Sequence, residues 1–403
     1  MLKTAYKVLI LGAGSGGISV AAKLSRNMSS HAIAIVDPAE NHYYQPYWTM
    51  VGAGLVKKEV TEKAIAELIP EDVTRIKEKV NSIDPVKKTV HLSGDQVISY
   101  EFLVIATGLK LNWEKIEGLN DNLGKNGICT IYEYNQVDAT ADMIQSFKGG
   151  TAIFVMPPTP IKCAGAPQKI MYLAEHIFRN KGVRNKSKIQ FATAGKAMFG
   201  LPVFAKALDE IIKEKNIEPK YQHKIVGVDA EKKEALFDVT NEQGQVTRER
   251  LKYDLLHLVP TMSAHSFIAD SGLAFEDGEQ KGWLAVDKFS LQHTKYPDIF
   301  GVGDVTGVPN SKTGAAIRKQ YPIVVKNLLS RMNGVVLSAK YDGYSSCPLV
   351  TEIGKVMLAE FGYDGKILPS FPLEPSVSRR SMWYLKKYIL PNLYWYGMMK
   401  GRF

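Results

Sequence analysis

The glycine run Gly12-Ala13-Gly14-Ser15-Gly16-Gly17 constrains the fold of this chain more than any other stretch. It follows an apolar segment, residues 6–11, that reads as a buried strand, and it leads into a helical stretch at 18–24. A second strand, 32–36, ends at Asp37, twenty residues beyond Gly17. A glycine triplet alone is a weak signal, because it arises often by chance. Between a strand and a helix each glycine has a physical task. Gly12 permits a tight turn, Gly14 lets the backbone approach a pyrophosphate, and Gly17 lets helix and strand pack closely. Ser15 and Gly16 stand where the helix offers free N–H groups and the positive end of its dipole to phosphates. Asp37 is placed to accept hydrogen bonds from a ribose diol. A dinucleotide-binding βαβ unit is expected here.

Further strand signals lie at 102–106, 151–155, 188–192 and 255–259, with helical patterns at 169–178 and 204–215. Their alternation argues an α/β chain with parallel sheets. Strand, turn and helix start at residue 6 and again near 151, so two Rossmann-like, dinucleotide-binding-type domains are expected. The division read from the sequence is a first domain at 1–115, a second at 116–280, a return to the first at 281–335, and a C-terminal region at 336–403. The second turn differs from the first. Met156-Pro157-Pro158-Thr159-Pro160-Ile161-Lys162-Cys163-Ala164-Gly165 carries three prolines where glycines would stand. Proline has no N–H to give a pyrophosphate. The second domain is expected to have lost its dinucleotide, so that the reductant is not NAD(P)H.

Two later segments bear on the dinucleotide of the first domain. Leu103-Val104-Ile105-Ala106-Thr107-Gly108 resembles the A-T-G fingerprint of flavoproteins built from two dinucleotide domains. Pro297-Asp298-Ile299-Phe300-Gly301-Val302-Gly303-Asp304 resembles their last fingerprint, whose aspartate meets the ribityl chain and phosphates of FAD. The resemblance implies FAD. A helix starting near Lys312-Thr313-Gly314-Ala315 would point its N-terminus at the flavin's pyrimidine end and stabilise negative charge there.

Composition narrows the class. The chain has 403 residues, 45% of them hydrophobic, which suits a folded protein with a sizeable core and excludes disordered or collagen-like chains. Three cysteines cannot make a disulfide framework. No apolar run reaches membrane-spanning length, and the first strand lies so near Met1 that no signal or transit peptide is expected. The net charge of +10 comes without a long basic block or a nucleic-acid motif, so no nucleic-acid partner is expected. The charge gathers at one end: residues 375–403 hold six basic side chains and no acidic one.

Cys129, Cys163 and Cys347 form no C-x-x-C pair, and no Cys/His cluster has zinc spacing, so no metal is expected. Cys163 lies beside Lys162 and just before a helix, a setting that favours the reactive thiolate. Cys347 lies in a turn-rich segment, 341–350, and the residues alone do not pair it with Cys163.

The segment from Pro160 to Lys169 resembles the first redox-cysteine segment of sulfide:quinone oxidoreductases of the type found in mitochondria and many bacteria. Residues 341–350 resemble the second, and His42-Tyr43-Tyr44-Gln45-Pro46 and Ser311-Lys312-Thr313 also resemble that family. The similarity spans nearly the whole chain. It implies that Cys163 and Cys347 form the redox pair, and that Gln45, the Val80 backbone and residues 312–315 join the FAD contacts. Asp37 stands where the family has Glu or Asp. Cys129 resembles a third cysteine of other types, with a buried structural thiol and an accessory sulfur-handling role both open. Val305 stands where some relatives carry Cys.

The C-terminus fits this picture. Residues 381–390 place Met382, Leu385 and Ile389 at helical spacing, with Lys386 and Lys387 turned elsewhere, and Pro391 is expected to break the helix. Trp383, Tyr384, Trp395 and Tyr396 suit the headgroup level of a bilayer, so an interfacial anchor is expected rather than a helix that closes the core. The implied protein is a peripheral membrane enzyme, facing the cytoplasm of a bacterium or at the mitochondrial inner membrane. Its partners would be sulfide, a quinone, and a sulfur acceptor such as sulfite, a thiol or more sulfide, with a homo-oligomer compatible. Which cysteine would carry the persulfide stays open on the sequence. The other readings are a type II NADH:quinone oxidoreductase, against which the proline-filled loop argues, and a non-catalytic flavin-binding protein.

Overall fold

The computed structural model describes residues 4–403. Strand Ala5–Leu11 is buried from Val8 onward, as a parallel strand covered on both faces requires. It lies between Ile33–Val36 and Val97–Ile105 and runs parallel to both, and Thr74–Ile76 extends the sheet beyond Ile33–Val36. Val97–Ile105 is long enough to take two partners on its other edge. Its first residues pair antiparallel with Thr89–Leu92, which in turn pairs with Val80–Asp84. Its last three pair parallel with Ile299–Gly301. The late strand thereby brings Asp304 to the same strand ends as Gly12 and Thr107, the end of a parallel sheet at which ligands bind.

The second sheet is wholly parallel, in the order Ile128–Cys129, Leu255–His257, Gly150–Met156, Ser187–Thr193, Glu218–Lys220. An antiparallel meander, His223–Asp229, Glu234–Thr240 and Val246–Lys252, precedes Leu255–His257. Helix Ala166–Asn180 begins three residues before the expected Lys169. Pro167 stands in its first turn, where a missing N–H leaves no hydrogen bond unmade. The chain crosses between domains at Lys110–Leu111 and Met262–Ser263, and the two crossings pair antiparallel. Beyond the second crossing Ser266–Asp270 packs on Val80–Asp84, and the Ile83 N–H donates to Ser271 Oγ at 2.9 Å. Residues 266–271, which the sequence division placed in the second domain, therefore sit on the first.

Residues 345–361 form an antiparallel hairpin, Ser345–Glu352 with Lys355–Phe361. Cys347 lies in its first strand, where turns were expected. Only the residues up to Tyr344 turn, with Gly343 at φ +81°. The strand from Ser345 is nearly all buried against helix Ala166–Asn180. The C-terminal segment starts with helix Arg380–Tyr384 and continues through the wide turns Leu385–Ile389 and Leu393–Gly397. Pro391 does not end it, contrary to expectation. The short helix Leu390–Asn392 carries the proline at its start, between two π-type turns that loosen the ladder on either side. Among the described residues no helix is long and apolar enough to cross a membrane.

Candidate redox site

The glycine turn is shaped by close approach. Gly12 has φ +98°, and a side chain there would lie 2.5 Å from the Ala106 carbonyl oxygen. A Cβ on Gly17 would lie 1.8 Å from the Gly12 oxygen, so helix Ser15–Leu24 and strand Ala5–Leu11 meet as closely as backbones can. Gly14 is different: no heavy atom lies within 4 Å of its would-be Cβ, and the same holds at Gly108 and Gly314. These three glycines border open space. Asp37 accepts from the Ala13 N–H at 2.6 Å and from the Ala39 N–H at 2.8 Å, which leaves two of its four lone-pair sites for a diol. Thr107 Oγ1 is buried without a partner. An open cradle, a carboxylate with spare acceptors and an orphaned hydroxyl fit an adenine dinucleotide.

Thr313 caps helix Gly314–Met332 by accepting from the Ala316 N–H at 3.1 Å. Gly314 and Ala315 form the first turn that follows. Asp304 is half-buried, and burial raises its carboxyl. Lys312 Nζ donates to the carbonyls of Asp304 (2.7 Å) and Thr306 (2.9 Å) and lies 3.8 Å from the Trp283 ring centre. Burial lowers its pKa to about 8. Its ammonium thus braces the aspartate turn through the backbone. Val80 is buried at the start of its strand, and Gln45 is exposed at the start of the turn Gln45–Tyr47.

The proline loop turns back toward this helix. Lys162 bridges to Lys312, and the Cys163 N–H donates to the Lys312 carbonyl at 3.0 Å. The loop so delivers Cys163 to the N-terminus of helix Ala166–Asn180, opposite Cys347 on the hairpin. The two thiols act on each other's ionisation. In this pair Cys163 is the side pulled down, by Cys347 and then by Lys169, whereas Cys163 and burial push Cys347 up. Lys169 Nζ lies 3.4 Å from Cys163 Sγ, and the negative charge of the cysteines holds its own pKa above the ordinary lysine value despite burial. The cation on the sulfur is therefore Lys169 rather than the neighbouring Lys162, whose ammonium donates to the Tyr132 carbonyl at 3.2 Å.

Two further residues escaped the sequence reading. A Cβ on Gly165 would lie 2.4 Å from Cys347 Sγ, so only glycine leaves room for the second sulfur. Lys386, expected on a polar face with Lys387, is buried at 3% exposure. It donates to the Pro46 carbonyl at 3.2 Å and acts on the ionisation of both cysteines. Burial, with Lys169 nearby, lowers its pKa to about 7. Cys129 faces the core of the second sheet, and burial pushes its thiol up to about 12.

The C-terminal segment has two apolar faces. Met382, Trp383, Tyr394, Trp395, Met398 and Met399 are buried, which corrects the placement of both tryptophans at a headgroup level. Tyr394 hydroxyl bonds to Ser15 Oγ in the glycine run at 2.7 Å and to His42 Nε2, and burial keeps His42 neutral. Tyr384, Tyr388, Ile389, Leu393 and Tyr396 remain exposed on the outer face. The segment closes the core with one side and leaves an aromatic surface on the other.

Residues 6–142 match the family model described as pyridine nucleotide-disulphide oxidoreductase. The chain is 41% identical over 403 residues to the mitochondrial sulfide:quinone oxidoreductase of Dictyostelium discoideum, covering all of this chain and 87% of that protein. It is 41% identical over 399 residues to the mouse protein of the same description, covering 99% and 87%. The X-ray structure of the sulfide:quinone oxidoreductase from Aquifex aeolicus superposes with a TM-score of 0.80 at 20% identity, covering 99% of this chain and 92% of that one. With 41% identity along its full length, the chain belongs to the sulfide:quinone oxidoreductase family.

Proposed function

We propose that Cys163 and Cys347 are the pair at which this FAD-dependent enzyme oxidises sulfide for transfer of electrons to quinone. The observation that carries the assignment is the convergence at one helix N-terminus of both sulfurs, Cys163 Sγ 3.4 Å from Lys169 Nζ and Cys347 Sγ against Gly165. Starting from the disulfide, HS⁻ attacks Cys347 Sγ. A new S–S bond forms there, the bond to Cys163 breaks, and its electron pair leaves on Cys163 as thiolate. The direction is argued from Lys169: its ammonium lies 3.4 Å from Cys163 Sγ and favours the thiolate that departs there. Lys169 compensates the charge that appears on it. Cys347 then carries the persulfide, whose outer sulfur an acceptor removes, leaving Cys347 as a thiolate. Sulfite, a low-molecular thiol or a second sulfide has the required nucleophilicity. The two thiolates must then rejoin as the disulfide, and FAD, when bound, would supply the acceptor for the two electrons released, on their way to quinone. Lys169 and Lys386, both buried and both coupled to the charge of the cysteines, favour anionic sulfur nucleophiles at the site. Gly12, Gly14, Ser15, Gly16, Gly17, Asp37, Thr107, Gly108 and Asp304 would hold the FAD, with Gln45, Val80 and residues 312–315 at its flavin end.

The exposed aromatics of the outer C-terminal face, with Lys387, Lys400 and Arg402 among them and no acid from 375 to 403, suit docking on a membrane surface, where quinone resides. An anaerobic absorbance spectrum tests the reading. Stoichiometric sulfide should bleach the oxidised flavin band, and quinone should restore it. Bleaching by NADH and not by sulfide would transfer the protein to the NADH:quinone reading.

A further inference from the structure

Cys163 is a non-glycine residue in the left-handed region, with φ +78°. A side chain is strained there, and such a conformation persists only where the surroundings over-determine it. Three hydrogen bonds do so. The Cys163 N–H donates to the Lys312 carbonyl at 3.0 Å, and the Cys163 carbonyl accepts from the Ala166 N–H at 2.7 Å. The same carbonyl accepts a second bond, from the Tyr132 hydroxyl at 3.2 Å. The first two partners are backbone groups that any sequence would supply. Tyr132 is the one side chain of the three.

Tyr132 is itself fixed. It is buried at 3% exposure on the loop after Ile128–Cys129, its N–H donates to Thr130 Oγ1 at 3.1 Å, and its carbonyl accepts from Lys162 Nζ. It therefore grips the chain on both sides of the Cα of Cys163, at the Lys162 ammonium and at the Cys163 carbonyl. Burial and the neighbouring cysteine charges hold its phenol well above the ordinary value, so the hydroxyl stays a proton donor.

We propose that Tyr132 is a positioning residue, a latch whose hydroxyl holds Cys163 in its left-handed backbone and so keeps the thiol against Cys347 and Lys169. The need for it arises from the chemistry. Each turnover cuts the covalent bond between the cysteines, and a Cys163 free to relax to negative φ would swing its Cβ away from both partners. The latch works through the backbone, so it leaves the sulfur unencumbered. This inference rests on Cys163 being a redox cysteine.

The test is Tyr132→Phe in the FAD-loaded, fully reduced enzyme, with iodoacetamide labelling of Cys163 followed against pH by mass spectrometry. The groups acting on that thiol are Cys347, Lys169 and Lys386, with Lys162 and Asp304 also coupled to its charge. Loss of the latch should move the labelling midpoint upward and cut the rate at pH 7 by about three- to tenfold, with the rate recovered at high pH. The variant is expected to fold, because the Cys163 carbonyl keeps the Ala166 N–H. Tyr132→Met, which loses ring and hydroxyl together, should shift the profile by the same amount. An unchanged profile in Tyr132→Phe, or a shift confined to Tyr132→Met, assigns the residue to packing and overturns the proposal. Sulfide bleaching of the wild-type flavin tests the underlying function separately, since labelling needs no sulfide.

Discussion

At the scale of single residues, the site depends on what is absent at 165 and what is buried at 386. Gly165→Ala would set a methyl 2.4 Å from Cys347 Sγ, between backbone and sulfur, so the hairpin or the loop must shift. The expected outcome is retained flavin with at least tenfold slower sulfide-dependent reduction, read by stopped-flow absorbance. Lys386 has the opposite balance, because its folded-state pKa of about 7 lies below the ordinary lysine value of about 10.4. Between those values the unfolded chain binds the extra proton, so stability rises with pH across the window. Lys386→Met should therefore raise Tm most below pH 7, less as the pH approaches 10, and slow sulfide turnover several-fold by removing a cation from the thiolate. Calorimetry across pH checks the first part and steady-state rates the second. Cys129→Ala should leave sulfide turnover within twofold of wild type, since the thiol lies in the core of the second sheet. The sequence was most informative where a residue's task is local. Gly12 and Gly17 announce their close contacts by type and spacing, and Cys163 stands out by the helix that follows it. Gly165, Lys169 and Lys386 act on partners 182, 6 and 223 residues from them in the chain, at Cys347, Cys163 and Cys163, and only the long-range ones carry no pattern in the sequence. Lys169 had its signal, one helical turn into the helix after Cys163, and was outweighed by the adjacent Lys162.

At the scale of elements, the parallel strands were legible because burial on both faces makes them continuous apolar runs. Their ends moved by a few residues, and the strand bearing Cys347 was missed because Ser345, Ser346 and Pro348 carry turn propensity that burial against helix Ala166–Asn180 overrides. The C-terminal segment was misassigned in part for a similar reason. Its aromatics divide between two faces, and a segment with aromatic residues on every side gives no period by which to tell them apart. That division can be measured. Trp395→Ala removes a buried ring packed beside His42 and Tyr394 and should cost about 3–5 kcal/mol of stability. Tyr396→Ala, 59% exposed, should leave Tm nearly unchanged and weaken sedimentation with anionic vesicles. Equal effects of both on Tm would contradict a two-faced segment.

At the scale of the whole molecule, the two domains meet where their turns differ. The glycine turn of the first stays open at Gly14, and the proline turn of the second reaches across to pair Lys162 with Lys312. A loop that in a second dinucleotide domain would hold phosphates here carries a cysteine to the other domain. The hairpin supplies the second cysteine, and the C-terminal segment supplies Lys386 to the pair and Tyr394 to the glycine run, so one segment touches both the cradle and the thiols. The measurement that tests this account most directly is the anaerobic flavin spectrum of Cys163→Ser beside wild type, each mixed with stoichiometric sulfide. The account predicts that wild type bleaches and that the variant, with its FAD still bound, keeps its oxidised band. Bleaching of Cys163→Ser at the wild-type rate would contradict it, because sulfide would then reach the flavin without the cysteine pair.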